Sequence, residues 1–216
     1  MQPASPPDPV QALQDYGKLK FVVLCTYRGG STFTSHVLCR LGVVTGHELL
    51  VGRTSLLGDR LDDPVKYPHN FRWENLSHGT LEADVGGANW LQIPLFQATG
   101  IPLVHLIRHP IKTANSLLAY GFPSIRTKSQ AIREWYRVHK ASRTAGPVAT
   151  IKLENVVEGL MDMADKLGLL WDRDRVQYWV DKTHHNPGLR STFDVRWSHM
   201  PSEAQDLARA YGYEPL

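Results

Sequence analysis

Arg28, Gly29, Gly30, Ser31 and Thr32, followed by Phe33, are residues of the types and spacing that bind an anion. Glycines in a turn permit backbone angles that side chains forbid, so successive N–H groups can face one concavity, and a following helix adds its positive N-terminal end. Ser31 and Thr32 supply hydroxyls, and Arg28 supplies a planar cation able to bind two oxygens at once. Phosphate is the natural guest of such a cradle. A second cation, Arg108, stands where another strand emerges, and Ser116, some two turns into the helical pattern that follows, can lie near it on the surface facing the first loop. A carboxylate and an imidazole, Glu48 and His47, stand shortly after the first helical stretch.

The elements that must position these groups are legible. Phe21 to Cys25 form an unbroken apolar run, as expected of a parallel strand covered on both faces, and Leu103 to Ile107, apolar but for His105, read as another buried strand. Pro110 suits the first turn of a helix and Gly121 its end. Further strands are expected at Thr80 to Ala83 and Val148 to Leu153. Helices are expected at Thr32 to Leu41, Trp90 to Ala98, Ile111 to Tyr120, Ser129 to Ala145, Val156 to Leu167, Arg173 to Lys182 and Ser202 to Ala210. Strands alternating with helices argue for an α/β fold, a three-layer sandwich with a central parallel sheet. Residues 43 to 79 hold few periodic signals, and such long irregular segments are more often functional than idle, so this one is assigned to an acceptor-substrate wall.

At 216 residues the chain suits one well-filled core, with residues 1–16 a flexible tail and 17–216 a single domain. The proline-rich start has no basic and apolar leader, and no run approaches the roughly 20 apolar residues of a membrane span, so a soluble, cytoplasmic protein is expected. A net charge of +3 with dispersed cations gives no support to nucleic-acid binding. Cys25 and Cys39 lack metal-ligand spacing and read as buried free thiols; adjacent His184 and His185 do not converge on a metal without further ligands, so no metal site is expected.

The loop is not the usual nucleotide loop Gly-x-x-x-x-Gly-Lys-Ser/Thr, since no lysine precedes Ser31. Thr26-Tyr27-Arg28-Gly29-Gly30-Ser31-Thr32-Phe33 instead resembles the 5′-phosphosulfate loop of sulfotransferases that use 3′-phosphoadenosine-5′-phosphosulfate (PAPS), and Arg108, Pro110 and Ser116 match that family's 3′-phosphate motif. Ala149 to Asn155 is similar to the family's late Tyr-Glu-Asp-Leu strand, with Leu and Asn in place of Tyr and Asp, and Leu207 to Pro215 to its closing helix. Gly46-His47-Glu48 is similar to the Gly-x-Glu segment of the bacterial branch.

The resemblance implies a P-loop-like nucleotide-binding core and sulfuryl transfer from PAPS, without metal, to an acceptor hydroxyl on a carbohydrate, glycolipid or small molecule. It assigns the amides of Gly29 to Phe33 and the Ser31 and Thr32 hydroxyls to the 5′-phosphate. Arg28 goes to the sulfuryl and bridging oxygens, and Arg108 with Ser116 to the 3′-phosphate. Glu48 is the first choice as base and His47 the second, the imidazole having the better intrinsic pKa near neutrality. His105 and His36 read as packing residues, and Arg190 and Arg196 as solvated cations. Phe71, Trp73 and Trp90 read either as core or as acceptor-pocket lining. An ATP-dependent P-loop kinase and a non-catalytic adenosine-nucleotide module are the competing functions.

Overall fold

In the computed structural model, residues 8–51, 76, 79–183 and 193–216 are described. Five strands form one all-parallel sheet in the order β2-β3-β1-β4-β5. They are β1 (Phe21–Leu24), β2 (Thr45–His47), β3 (Ala83–Gly86), β4 (Leu103–Ile107) and β5 (Ala149–Lys152). Each strand side chain points to the face opposite its neighbour's, and both faces of β1 are apolar. Val22 and Leu24 join one buried cluster with Leu13, Phe96, Leu117, Trp135 and Leu207. Phe21 and Val23 join the other with Val37, Leu38, Leu160, Met163 and Val176.

Helices therefore divide between two layers. Pro9–Tyr16 (α1), Ile93–Ala98 (α3), Pro110–Tyr120 (α4), Lys128–Thr144 (α5) and Ser202–Ala210 (α8) cover one face, and Ser31–Arg40 (α2), Val156–Leu167 (α6) and Arg173–Lys182 (α7) the other. The result is a three-layer α/β sandwich. Since the chain leaves β1 towards one layer and β4 towards the other, a crevice opens beyond the carboxyl ends of these adjacent strands, where open α/β sheets bind ligands.

Several expected elements shift. The strand placed at Thr80 to Ala83 begins at Ala83, because Asp84 and Gly86, poor strand formers, complete it in a fully buried position. β2 escaped notice because three residues containing a glycine carry no periodic signal. The helix placed from Trp90 starts as a 3₁₀ turn, Asn89–Gln92, and becomes α-helical at Ile93, with Pro94 in its first turn. Pro9–Tyr16, placed in the flexible tail, form α1: Asp8 caps it, Leu13 is buried, and the Tyr16 hydroxyl donates to the Leu81 carbonyl at 2.6 Å. Cys39 is exposed rather than buried, while Cys25 is fully enclosed; both are free thiols. Among the described residues, no helix is long and apolar enough to cross a membrane.

Candidate functional site

Gly30 turns the chain from β1 into α2 at φ 103°, a left-handed conformation that side chains resist, and a Cβ there would lie 2.7 Å from Leu153. Only glycine fits. No side chain caps α2, and ahead of it the Gly29 amide closes the turn, donating to the Thr26 carbonyl at 3.0 Å. Arg28, just before the glycines, has φ 63°. Glu48, at the end of β2, has φ 57°, and these two are the only non-glycine residues with positive φ among the described residues. Such backbone is strained by about 1–3 kcal/mol and persists where its surroundings over-determine it, commonly at working sites.

The two motifs meet. The Arg28 Nε donates to Ser116 Oγ at 3.1 Å, and Arg108 Nη1 donates to the Arg28 carbonyl at 3.2 Å. The Arg28 guanidinium also lies 5.1 Å from the centre of the Tyr120 ring. Ser116, paired by resemblance with Arg108, is thus joined to Arg28 instead. Burial depresses the Arg108 pKa, and the Glu154 carboxylate counteracts this; a guanidinium nonetheless stays charged.

On the other side of the loop, His47 Nε2 lies 3.0 Å from Ser31 Oγ and 3.2 Å from Thr32 Oγ1, so the candidate imidazole and the two candidate phosphate-binding hydroxyls form one cluster. Glu48 Oε1 lies 3.9 Å from the same nitrogen, and the Glu48 side chain is only 8% exposed. The strained turn is held from beneath. The Glu48 amide donates to the Val85 carbonyl at 3.1 Å, and the Leu49 amide to Asp84 Oδ1 at 3.0 Å. Asn89 Nδ2 donates to Asp84 Oδ2 at 3.0 Å. Burial pushes the Asp84 carboxyl up to about 6, against those hydrogen bonds, which favour its charged form. Gly46 is required there, because a Cβ would collide with that carboxylate.

Asp84, Asn89, Glu154 and Tyr213 escaped the sequence reading as site residues. Asp84 had a signal, a carboxylate inside an otherwise apolar segment; Tyr213 acts only through tertiary contact. Of the remaining candidates, His105 is fully buried as expected, but His36 is exposed on α2 rather than packed. Arg196 pairs with Asp194 on the surface, its Nε 2.7 Å from the carboxylate. Trp90 packs against the core beneath Arg137. Phe71, Trp73, His184, His185 and Arg190 lie outside the described residues, and among those described no group of three or more His, Cys, Asp or Glu side chains is placed to hold a metal ion. No protein-family model matches the chain, and no curated protein matches it.

Proposed function

We propose that this chain is a sulfotransferase, moving a sulfuryl group from PAPS to an acceptor hydroxyl on a P-loop-like core. The observation that carries the proposal is the convergence of Arg28, Arg108 and Ser116 at the carboxyl ends of β1 and β4, joined by contacts of 3.1 and 3.2 Å. Two guanidinium groups beside one glycine loop suit a ligand with anionic groups on both sides of a ribose. A kinase reading is less well supported. β3, the strand next to β1, ends in Gly86 and Gly87, where a magnesium-binding carboxylate would be expected.

In the transfer, a bond forms between the acceptor oxygen and sulfur as the bond from sulfur to the 5′-phosphate oxygen breaks. The loop amides from Gly30 to Phe33 hold the 5′-phosphate, the Gly29 amide being taken by the Thr26 carbonyl. Arg28 stabilises the negative charge that develops on it, in the manner of a preorganised electrostatic donor. The acceptor proton passes to Glu48 as base. His47, within hydrogen-bond distance of the Ser31 and Thr32 hydroxyls and 3.9 Å from Glu48, is the second candidate for the role.

Glu48→Gln should reduce turnover by about 100-fold or more while leaving donor affinity intact, the signature of a lost general base. Single-turnover kinetics with labelled donor would check this, and full activity in the variant would move the role to His47 or elsewhere. The reaction class itself is tested by calorimetry with adenosine 3′,5′-bisphosphate and with ATP plus magnesium. Tighter binding of the bisphosphate, followed by turnover of PAPS, is the expected result; preference for ATP with magnesium would favour a kinase, and binding without turnover a nucleotide-binding module.

A further inference from the structure

Ile107, Arg108 and His109 form the bend by which the chain leaves β4 for α4; side chains from two other parts of the fold grip its backbone, and a third holds one of these. Trp135, on α5, donates its indole N–H to the Arg108 carbonyl at 3.0 Å. Glu154, in the 3₁₀ turn after β5, accepts the His109 amide on Oε1 at 3.0 Å. Its other oxygen, Oε2, accepts the Tyr213 hydroxyl at 2.9 Å. That hydroxyl also stands 3.4 Å from the Ile107 carbonyl, but its single proton serves the nearer, charged acceptor. Tyr213 itself is buried.

The C-terminal segment is tied to the same bend a second time. His109 Nδ1 accepts from the Ile111 amide at 3.3 Å, capping α4, which leaves the proton on Nε2 to be donated to the Glu214 carbonyl at 3.0 Å. Tyr213 and Glu214 thus close over the bend from outside the sheet, and Glu154 links them to the residue adjoining Arg108.

We infer that Glu154 and Tyr213 are positioning residues for Arg108, and that together they set the discrimination in favour of a 3′-phosphorylated nucleotide. This rests on the proposed assignment of Arg108 to the 3′-phosphate. Neither residue touches the ligand in this account. Glu154 fixes the amide next to Arg108 and so the direction from which the guanidinium leaves the strand, while Tyr213 fixes Glu154.

Electrostatics gives the inference a sign that a bystander carboxylate would not have. A negative charge near Arg108 weakens an anion's attraction to it, so neutralising a bystander Glu154 would strengthen binding of a 3′-phosphate. Neutralising a positioning Glu154 weakens it. Glu154→Gln keeps one acceptor for the His109 amide but offers an N–H₂ group where Tyr213 needs an acceptor; Tyr213→Phe removes the same link without changing charge.

The test is calorimetric affinity for adenosine 3′,5′-bisphosphate and for adenosine 5′-monophosphate, in the wild-type protein and in both variants. The wild-type protein should prefer the bisphosphate. In Glu154→Gln and in Tyr213→Phe the preference should fall by about tenfold, with monophosphate affinity unchanged, as for the loss of a correctly aimed charge-assisted hydrogen bond. Unchanged monophosphate affinity is what separates misaimed Arg108 from general loss of structure. A preference retained or increased in both variants overturns the inference alone. Equal affinities in the wild-type protein overturn the assignment of Arg108, and the inference with it.

Discussion

Arg28→Ala is expected to lower sulfuryl-transfer turnover by about 100- to 1,000-fold, the loss that follows removal of one preorganised donor from a developing negative charge. Lysine should restore only part of it, because an ammonium keeps the charge but not the planar fork. The Nε contact to Ser116 would go in either case. Glycine separates chemistry from stability. With φ 63° at this position, any L-residue is strained by roughly 1–2 kcal/mol, which Arg28→Gly relieves. Steady-state kinetics and thermal melts on the three variants should therefore give an inactive glycine variant that melts no lower than wild type. Wild-type turnover in Arg28→Ala would remove Arg28 from the reaction.

The second large effect is on stability against pH. His105 and His139 are fully buried, with His105 Nε2 2.6 Å from His139 Nδ1 and the Tyr211 hydroxyl 3.3 Å from His105 Nδ1. One shared proton fits between the rings; a second would set two N–H groups against each other. Burial pushes His105 down to about 3, and burial together with its neighbour holds His139 well below the ordinary imidazole value. Unfolded histidines titrate near 6.5, so below that pH the unfolded chain binds a proton at each position that the folded chain refuses, at His105 down to about pH 3. The pair's contribution is present above 6.5 and is lost on acidification, by about 1.4 kcal/mol per pH unit for each histidine.

Asp84 has the opposite sign. Its carboxyl, raised to about 6, takes up a proton in the folded state before the unfolded state does, so its contribution is greatest below an unfolded value of 3.8 and is lost as pH rises through 6. Between roughly pH 4 and 6 Asp84 thus offsets part of the pair's loss, while His109, also held below the ordinary imidazole value by burial, adds to it, so stability falls on acidification. Urea unfolding across this range should show that fall. His139→Leu should flatten it, and Asp84→Asn should steepen it. Stability that does not decline between pH 6 and 4, or the same slope in both variants, would contradict this account of the buried groups.

The parts of the molecule that were legible in the sequence share a physical reason. β1 and β4 are covered on both faces, so their residues are apolar throughout β1 and apolar but for His105 in β4, and the groups following each strand had to lie at the sheet's carboxyl edge. Arg28 and Arg108 were therefore found by position as well as by type. β3 was displaced because Asp84 and Gly86 fit a strand only through contacts made by Leu49 and Asn89, which are remote or local features that no strand pattern encodes. The ties among Glu154, Tyr213 and His109 join residues far apart in the chain, and nothing short of the fold reveals them. The pairing of Ser116 with Arg28 rather than Arg108 belongs to the same class, joining residues 88 positions apart.

The most direct measurement is a crystal structure of the complex with adenosine 3′,5′-bisphosphate. The account predicts the 5′-phosphate against the amides from Gly30 to Phe33, the 3′-phosphate on Arg108, and Glu48 or His47 facing the place the sulfuryl group would occupy. A nucleotide bound away from the crevice between β1 and β4, or one whose 3′-phosphate lies in solvent, would contradict it.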